Sequence, residues 1–594
     1  MSTRSQLPEG WRWFRLGDRN IAEISAGGTP KRSVHRYFEG NIPWAKIGDL
    51  TNSVKYISDT EEKISEEAIE NSNAKIFPKG TVLVSMYGSI GKSAIAAVPI
   101  ATNQAIVGIQ VITQDLLPVF IYYFFILTQP RLELIGRGAT QNNINAGHIK
   151  ELEIPVPPLP VQERIVQILR KADEIRHKRQ EAVAIADSTI LSIFNEMFSG
   201  EVGTVEHLGK HLKETKYGTS QKLNLLEEGY PVLRIPNVVE GEVNTHELKH
   251  LEVDEDERDR LLLEKGDILL VRTNGNKNYV GRCAVFDLEG EYLFASYLIR
   301  LRVNQATLNP YFLTFFLNTS GGRREIDQKT RTSAGQYNIN TENIRSIQAL
   351  IPSLKLQKDF VMQLEQWKAS KQRLTSGYEE ANGIFSSLLS QSFTGELTGE
   401  WETANADLIA AKQRYSDRLP RLVLLSFLRD KIHRSQQADA TVLVTALMKY
   451  LFLFQMEGAA QRRLYQFIPY HYGPFAKELY PDLEALQEEG LLTVDNGDET
   501  KTHLSLTNPE AVEQTLADLT HDLDPEITNL LTEDFTAMQA DITTILNTYG
   551  ALDHNTLLTT VYEKYPAYAQ RSKVKNRRRT AKSSHDAESQ DNEA

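Results

Sequence analysis

The chain has 594 residues, 41% hydrophobic and 24% charged, which are globular values, and its length calls for three or more folded units. Its one cysteine, Cys283, excludes an intramolecular disulfide framework and a cysteine-rich zinc site, and points to a reducing, intracellular setting. The net charge of −12 is uneven: residues 1–150 hold 16 Lys+Arg against 13 Asp+Glu, and residues 402–570 hold 13 against 25. The acidity that would repel nucleic acid therefore belongs to the C-terminal part.

The N-terminus "MSTRSQLPEGWRW" has no apolar signal core, and the longest apolar run, "VFIYYFFIL", is too short to cross a bilayer, so a soluble cytoplasmic protein is expected. Near residue 90, "GSIGKS" ends like a phosphate-binding loop. That loop needs a glycine five residues before Gly91, and the position holds Met86. A better explanation lies downstream, where "GRCAVF" from Gly281 echoes "GKSAIA".

The echoes continue in order. "RLGD" answers "HLGK", "GGTPKRS" answers "YGTSQKL", "NIPWAKIGD" answers "GYPVLRIPN", and "FPKGTVLVS" answers "LEKGDILLV". Further on, "TQNNIN" answers "GQYNIN", "IPVPPLPVQERIV" answers "IPSLKLQKDFV", and "FSGE" answers "FTGE". The chain is built twice. Each copy opens with short β-rich runs, turns and a helix, predicting compact α/β (α+β) domains over 1–154 and 203–351.

Each domain is followed by a spacer segment, 155–202 and 352–401, holding a long helix, Val161–Phe198 and Leu356–Phe393. Along the first, Ile165, Leu169, Ala172, Val183, Ala186, Ile190, Ile193 and Met197 recur at steps of four and three. The second matches with Phe360, Leu364, Trp367, Leu374, Tyr378, Ala381, Phe385 and Leu388. Only Arg176, Arg179 and Lys371 interrupt the seams. Two matched seams predict an antiparallel coiled-coil pair. Helices about 57 Å long would then hold the domains at opposite ends, a pseudo-two-fold ruler with a reader at each end.

Beyond the duplication, residues 402–570 read as helices followed by helix, strand, turn and strand, a winged-helix-like pattern in a strongly acidic segment, for which a protein-binding role is at least as apt as DNA binding. The tail 571–594 is polar, mixed in charge and without apolar period, and is expected to be disordered.

Over about residues 7–400 the chain resembles the specificity (S) subunit of type I restriction–modification systems. The likeness is carried jointly by "LPEGWRWFRLGD", "GGTPKR", "FPKGTVLVSMYGSIGK", "TQNNIN", "IPVPPLPVQERIV" and their second-copy echoes. The resemblance implies two target recognition domains, each reading half of a bipartite double-stranded DNA target. It also implies helices that set the spacing and dock two methyltransferase (M) subunits. Catalysis would lie in partners: S-adenosylmethionine-dependent adenine methylation in the M subunits, and ATP- and magnesium-dependent translocation and cleavage in restriction (R) subunits. No cofactor is expected in this chain and no membrane contact.

Candidate DNA contacts are the polar and basic residues of the paired turns. They are Thr29, Lys31, Lys46, Tyr87, Ser89, Lys92, Gln141, Asn142 and Asn143 in the first domain, and Thr219, Arg234, Arg272, Asn274, Lys277, Arg282, Gln336, Tyr337 and Asn338 in the second. Asn and Gln suit adenine's edge, Arg and Lys guanine's or a phosphate, while loop solvation and turn capping compete for each.

Other chemistry fits less well. "HELKH" (His246–His250) matches the H-E-x-x-H zinc pattern literally, but its first-copy counterpart, "ISDTE", has no histidine. "NPYF" lacks the second proline of the adenine-methyltransferase signature, and Pro310 and Pro118 read as helix-start prolines. Cys283, matched by Ser93, reads as a packed residue. The alternatives are a self-sufficient DNA methyltransferase or nuclease, which lacks a cofactor loop, and a coiled-coil scaffold, which leaves the recurring amide-bearing turns unexplained.

Overall fold

The computed structural model describes residues 7–52, 55–137, 143–199, 203–224, 228–239, 241–333, 335–435, 440–459, 464–465, 467–470, 473–495, 502–517 and 525–569. They form two compact units: Met1–Ala172 with Ile384–Ala594, and Asp173–Gly383.

In the first unit, a sheet runs in the order Ala22–Ala26, Ile106–Val111, Val82–Ser85, Ser93–Ala96, Tyr56–Ile57, and a second runs Lys63–Ile64, Ile42–Ala45, Ile100–Thr102, Ile76–Phe77. The runs "TVLVS" and "AIVGIQV" are buried on both faces, which is why they read as continuous apolar stretches without alternation. Helix Pro118–Arg137 packs on this sheet. The strand Arg12–Arg15 pairs antiparallel with Glu153–Val156, just ahead of the first spacer helix.

The second unit repeats this wiring, without a counterpart of strand Ile76–Phe77 among the described residues. Its main sheet runs Leu212–Tyr217, Leu298–Val303, Ile268–Val271, Cys283–Val285, Gly241–Val243, with Val238–Val239 added at the edge. Its smaller sheet runs Lys249–Leu251, Tyr230–Leu233, Leu293–Phe294, and Gly203–His207 pairs with Gln348–Pro352. Pro310 opens the helix Pro310–Asn318 as Pro118 opens its counterpart.

The spacer helices span Leu159–Met197 and Leu354–Gln391, within two residues of expectation at each end. In the second unit, Trp367 Nε1 donates to the Ala186 carbonyl at 2.6 Å, Lys371 pairs with Asp187 at 2.7 Å, and Arg179 reaches Gly377 and Glu380. Rising numbers on one helix meet falling numbers on the other, so the helices are antiparallel there. Two of the three seam interruptions, Arg179 and Lys371, are thus cross-helix ion pairs; Arg176 pairs with Asp173 on its own helix at 2.6 Å. In the first unit Val161, Ile165 and Leu169 share a core with Phe385, Leu389 and Phe393, in the same antiparallel sense.

The seam anchors its domain. Phe194, Phe198 and Phe360 stack with Phe312 and Phe315 of helix Pro310–Asn318, and Leu364 lies 6% exposed in that cluster. Leu364→Asp would leave an unpaired carboxylate among these rings, at a cost of about 3–5 kcal/mol. The denaturant midpoint read by tryptophan fluorescence should fall; an unchanged midpoint would show that the seam is not packed this way.

One polar residue per helix is fully buried. Gln162 accepts from the Leu117 N–H at 2.9 Å and donates to the Asp115 and Pro157 carbonyls at 2.7 and 2.8 Å. Gln357 accepts from the Asn309 N–H at 2.7 Å and donates to the Thr307 and Pro352 carbonyls at 3.1 and 2.9 Å. The same side chain makes the same three bonds in both copies, locking each helix start to the loop that precedes its domain's helix.

The C-terminal residues of the first unit build a separate core. Its elements run helix Ala406–Ser435, strand Val442–Leu443, helix Val444–Glu457, hairpin Ile468–Tyr470 with Gly473–Phe475, helix Leu479–Glu488, and strands Leu492–Asp495 and His503–Leu506. The three single strands form one sheet with Val442–Leu443 beside His503–Leu506, which pairs with Leu492–Asp495. Helices Pro509–Ala517, Pro525–Tyr549 and His554–Lys564 follow. Inside this core Lys449 is 1% exposed; its amine donates to the Thr445 carbonyl at 2.9 Å, and burial pushes its pKa down to about 7.

Candidate nucleic-acid interface

The "GSIGK" segment is a hairpin. It joins the antiparallel strands Val82–Ser85 and Ser93–Ala96, whereas a phosphate-binding loop joins a strand to a helix. Gly88 and Gly91 supply positive φ, 62° and 77°, and the Gly91 N–H closes the turn on the Ser85 carbonyl at 2.9 Å. In the second copy Gly281, at φ 81°, bonds the Val271 carbonyl at 2.8 Å. Lys92 and Arg282 thus leave equivalent hairpins, and Ser89 lies in the first hairpin's turn.

Backbone bonds gather several candidate turns along one edge of each domain. In the first, the Gly28 N–H bonds the Thr102 carbonyl, Asn103 N–H bonds Ala45, Met86 N–H bonds Ala105, and Ile144 N–H bonds Met86. This chain of contacts brings together Thr29, Lys46, Tyr87 and Asn143, with Tyr87 directly bridged to Asn143. Tyr87 is 39% exposed, and Lys31 is exposed beside the Thr29 turn. Thr29 hydrogen-bonds the side chain of Gln104, a residue that the sequence reading passed over. Gln141 and Asn142 lie outside the described residues.

The second domain repeats the scaffold: Thr219 N–H bonds Phe294, Ala295 N–H bonds Leu233, Arg272 N–H bonds Tyr297, and Ile339 N–H bonds Arg272. A small sheet, Thr273–Asn274 beside Gln336–Asn338 beside Arg331–Ser333, then juxtaposes Asn274 with Tyr337 and Thr273 with Asn338. Arg272, Asn274, Lys277, Gln336, Tyr337 and Asn338 therefore converge. The Arg272 guanidinium lies 4.6 Å from the Tyr217 ring centroid, and Lys277 sits 3.5 Å from Asp327. The sequence reading missed Tyr297, 56% exposed in the middle of this edge, and the exposed Arg331 on the outer strand. Extending the "GQYNIN" echo upstream to "TRTSA" was the signal available for Arg331.

Some assignments change with the structure. Thr219 is only 4% exposed and its hydroxyl accepts the Gln221 N–H at 3.1 Å, so it shapes the turn instead of facing a ligand. Lys46 bridges Glu61 and Glu62 at 2.9 and 2.7 Å, and these carboxylates hold its amine above its ordinary range. Lys46 thus reaches a phosphate only by exchanging partners. Arg234 donates to the Glu247 carbonyl at 2.6 Å, which ties its guanidinium to the turn that holds Glu247. Arg282 lies over the Tyr279 ring at 3.9 Å and stays exposed.

The remaining motifs resolve as packing and turns. His246 and Glu247 occupy a turn and His250 a strand, so the zinc pattern lacks its helix; Glu247 takes φ 53°. Among the described residues no group of three or more His, Cys, Asp or Glu is placed to hold a metal ion, and no helix is long and apolar enough to cross a membrane. Cys283 is buried, which pushes its thiol up to about 12.

The duplication matches known proteins. The family model described as "Type I restriction modification DNA specificity domain" matches residues 8–184 and again 198–380. The EcoKI specificity subunit of Escherichia coli K12 is 25% identical over 438 residues, covering 68% of this chain and 93% of that protein. The StySPI specificity subunit of Salmonella potsdam is 25% identical over 441 residues, covering 69% and 94%. Among solved structures, the type I S subunit from M. genitalium aligns with a TM-score of 0.41 at 16% identity, covering 66% of this chain and 98% of that one. With two matches that fall one on each structural copy, the chain belongs to the type I restriction–modification DNA specificity family.

Proposed function

We propose that this chain is the DNA-specificity subunit of a type I restriction–modification enzyme, with each recognition domain reading one half of a bipartite target. The observation that carries the reading is the paired edge: equivalent backbone bonds present amide, basic and aromatic side chains in both copies. Asn and Gln amides, Arg and exposed tyrosines are the groups that read base edges and phosphates. The spacer helices set the gap between half-sites and dock two methyltransferase subunits. Those partners bring S-adenosylmethionine, and restriction subunits bring ATP and magnesium chemistry; this chain itself turns nothing over. The strand order of the C-terminal core supports a winged helix, and its excess of acidic residues favours a protein partner over DNA for that part.

The test is selection of binding sites from a random DNA pool by the assembled complex. Arg272→Ala with Lys277→Ala should relax preference in one half-site, by about 1–3 kcal/mol per lost base contact, while the other half stays as selective as in the wild type. Both half-sites changing together, or neither, would overturn the two-reader assignment.

A further inference from the structure

In the second unit the outer and central strands of the small sheet, Arg331–Ser333 and Gln336–Asn338, form a hairpin whose register shows which side chains share a face. Opposed residues of an antiparallel pair point to the same side, and successive residues of a strand to opposite sides. Arg331 is opposite Asn338, and Asn338 is opposite Thr273 on the third strand, so these residues lie in one row. Gln336, two residues before Asn338, lies on the same face, where the Thr273 hydroxyl donates to its side-chain carbonyl at 3.0 Å. Thr332, Tyr337 and Asn274 form a row on the reverse face, and Tyr337 packs there against the domain core. Arg331 and Gln336 are exposed and Asn338 is half-exposed, so the first face is turned to solvent.

The chemistry on that face is selective. Arg331 carries donors only, and among the described residues no carboxylate pairs with it. A fork of donors matches guanine, whose major-groove edge offers the acceptors N7 and O6. Gln336 and Asn338 each join a donor to an acceptor, which matches the N6 amine and N7 of adenine. Both amides are held in place, Gln336 by Thr273 and Asn338 by its own bond from Nδ2 to the Gln336 main-chain carbonyl at 3.2 Å.

The row recurs in the first copy. The Ile144 N–H bonds the Met86 carbonyl as the Ile339 N–H bonds that of Arg272, so Tyr87 and Asn143, which bridge each other, stand where Thr273 and Asn338 stand. An asparagine keeps its register in both copies while its neighbour changes from tyrosine to threonine. A constant amide beside a changed partner suits readers of two different half-sites.

A two-stranded ribbon fits the major groove. We infer that this hairpin enters the major groove of one half-site with its solvent face against the base edges, that Arg331 contacts a guanine there, and that Gln336 and Asn338 read adjoining adenine. The inference rests on the DNA-specificity reading above and assigns, within it, the face that reads bases. Thr332, exposed on the reverse face of the same strand, makes no base contact.

The experiment selects binding sites from a random DNA pool with the assembled complex, and follows affinity for the selected site across salt concentrations. Arg331→Ala should lower the preference for one guanine roughly ten- to hundredfold, with the other half-site as selective as in the wild type. Gln336→Ala should do the same at an adenine, and Thr332→Ala should leave every preference as it was. All three side chains are exposed, so the denaturant midpoint should stay constant across the variants. If Arg331→Ala instead weakens all sequences alike and lowers the salt slope by about one, Arg331 holds a phosphate and the inference fails. It fails too if the half-site of the second domain contains no guanine, if Arg331→Ala changes nothing, or if Thr332→Ala relaxes selection as much as Arg331→Ala. A wild-type complex that selects no sequence would sink the specificity reading itself.

Discussion

Replacing Gln357 with alanine is expected to destabilise the second unit by about 3–5 kcal/mol, because it removes three hydrogen bonds made by a fully buried side chain and leaves the buried Pro352 carbonyl without that partner. Gln357→Met keeps most of the volume and loses the bonds, so it should recover only the packing share. Gln357→Glu should be worse than methionine: its carboxylate would face the Thr307 and Pro352 carbonyls, to which the amide now donates. Gln162 makes the matching bonds to Leu117, Asp115 and Pro157, and the two glutamines share no partner, so the losses should add in the double variant. Denaturant unfolding of these variants beside the wild type measures this. Alanine and methionine variants as stable as wild type would mean the glutamines are passengers.

The opposite sign is expected at Lys449. Its folded pKa of about 7 lies below the ordinary 10.5, so between those values the unfolded chain binds a proton that the folded chain does not. Stability of the C-terminal core should therefore rise from pH 7 towards pH 10, by up to about 1.4 kcal/mol per pH unit, and this contribution is lost as pH falls through 7. Burial, with the Lys449 charge second, also pushes His554 down to about 4, so further stability is lost from pH 6.5 towards 4. Lys449→Met should stabilise this core at pH 7 by roughly 2–4 kcal/mol and flatten the alkaline part of the profile. Thermal melts across pH 5–10 distinguish the outcomes; a less stable methionine variant would show that the Lys449 amine is needed where it stands.

Much of this architecture was legible because it is written twice. The ordered echoes located equivalent strands that prove to have equivalent sheet neighbours, and the step-of-four-and-three seams located the spacer helices to within two residues. What escaped was polar and buried. Gln162 and Gln357 look like surface residues of an amphipathic helix, because their partners are backbone groups distant in sequence. Thr219 matched Thr29 by alignment, yet one is buried and the other exposed, since a turn uses a hydroxyl either way. Lys449 was readable in principle: a lone charge inside "TALMKYLFLF" has no solvent-facing stripe to sit on. Tyr297 was not, because only the folded path of the chain brings it beside Arg272.

The small sheet that gathers Asn274, Gln336 and Asn338 consists of strands two or three residues long. Of its central strand only Tyr337 packs against the domain core, as a partly buried neighbour, while Gln336 is exposed and Asn338 half-exposed. Side chains here are held by ladder bonds that any residue type can make, so exchanging them leaves the hydrophobic clusters untouched. Surface changes of that kind typically stay within about 0.5 kcal/mol of stability. On the proposed reading of these residues as base contacts, a lineage can drift in the sequence it recognises while its folding stays constant, so that recognition turns over faster than the fold that carries it.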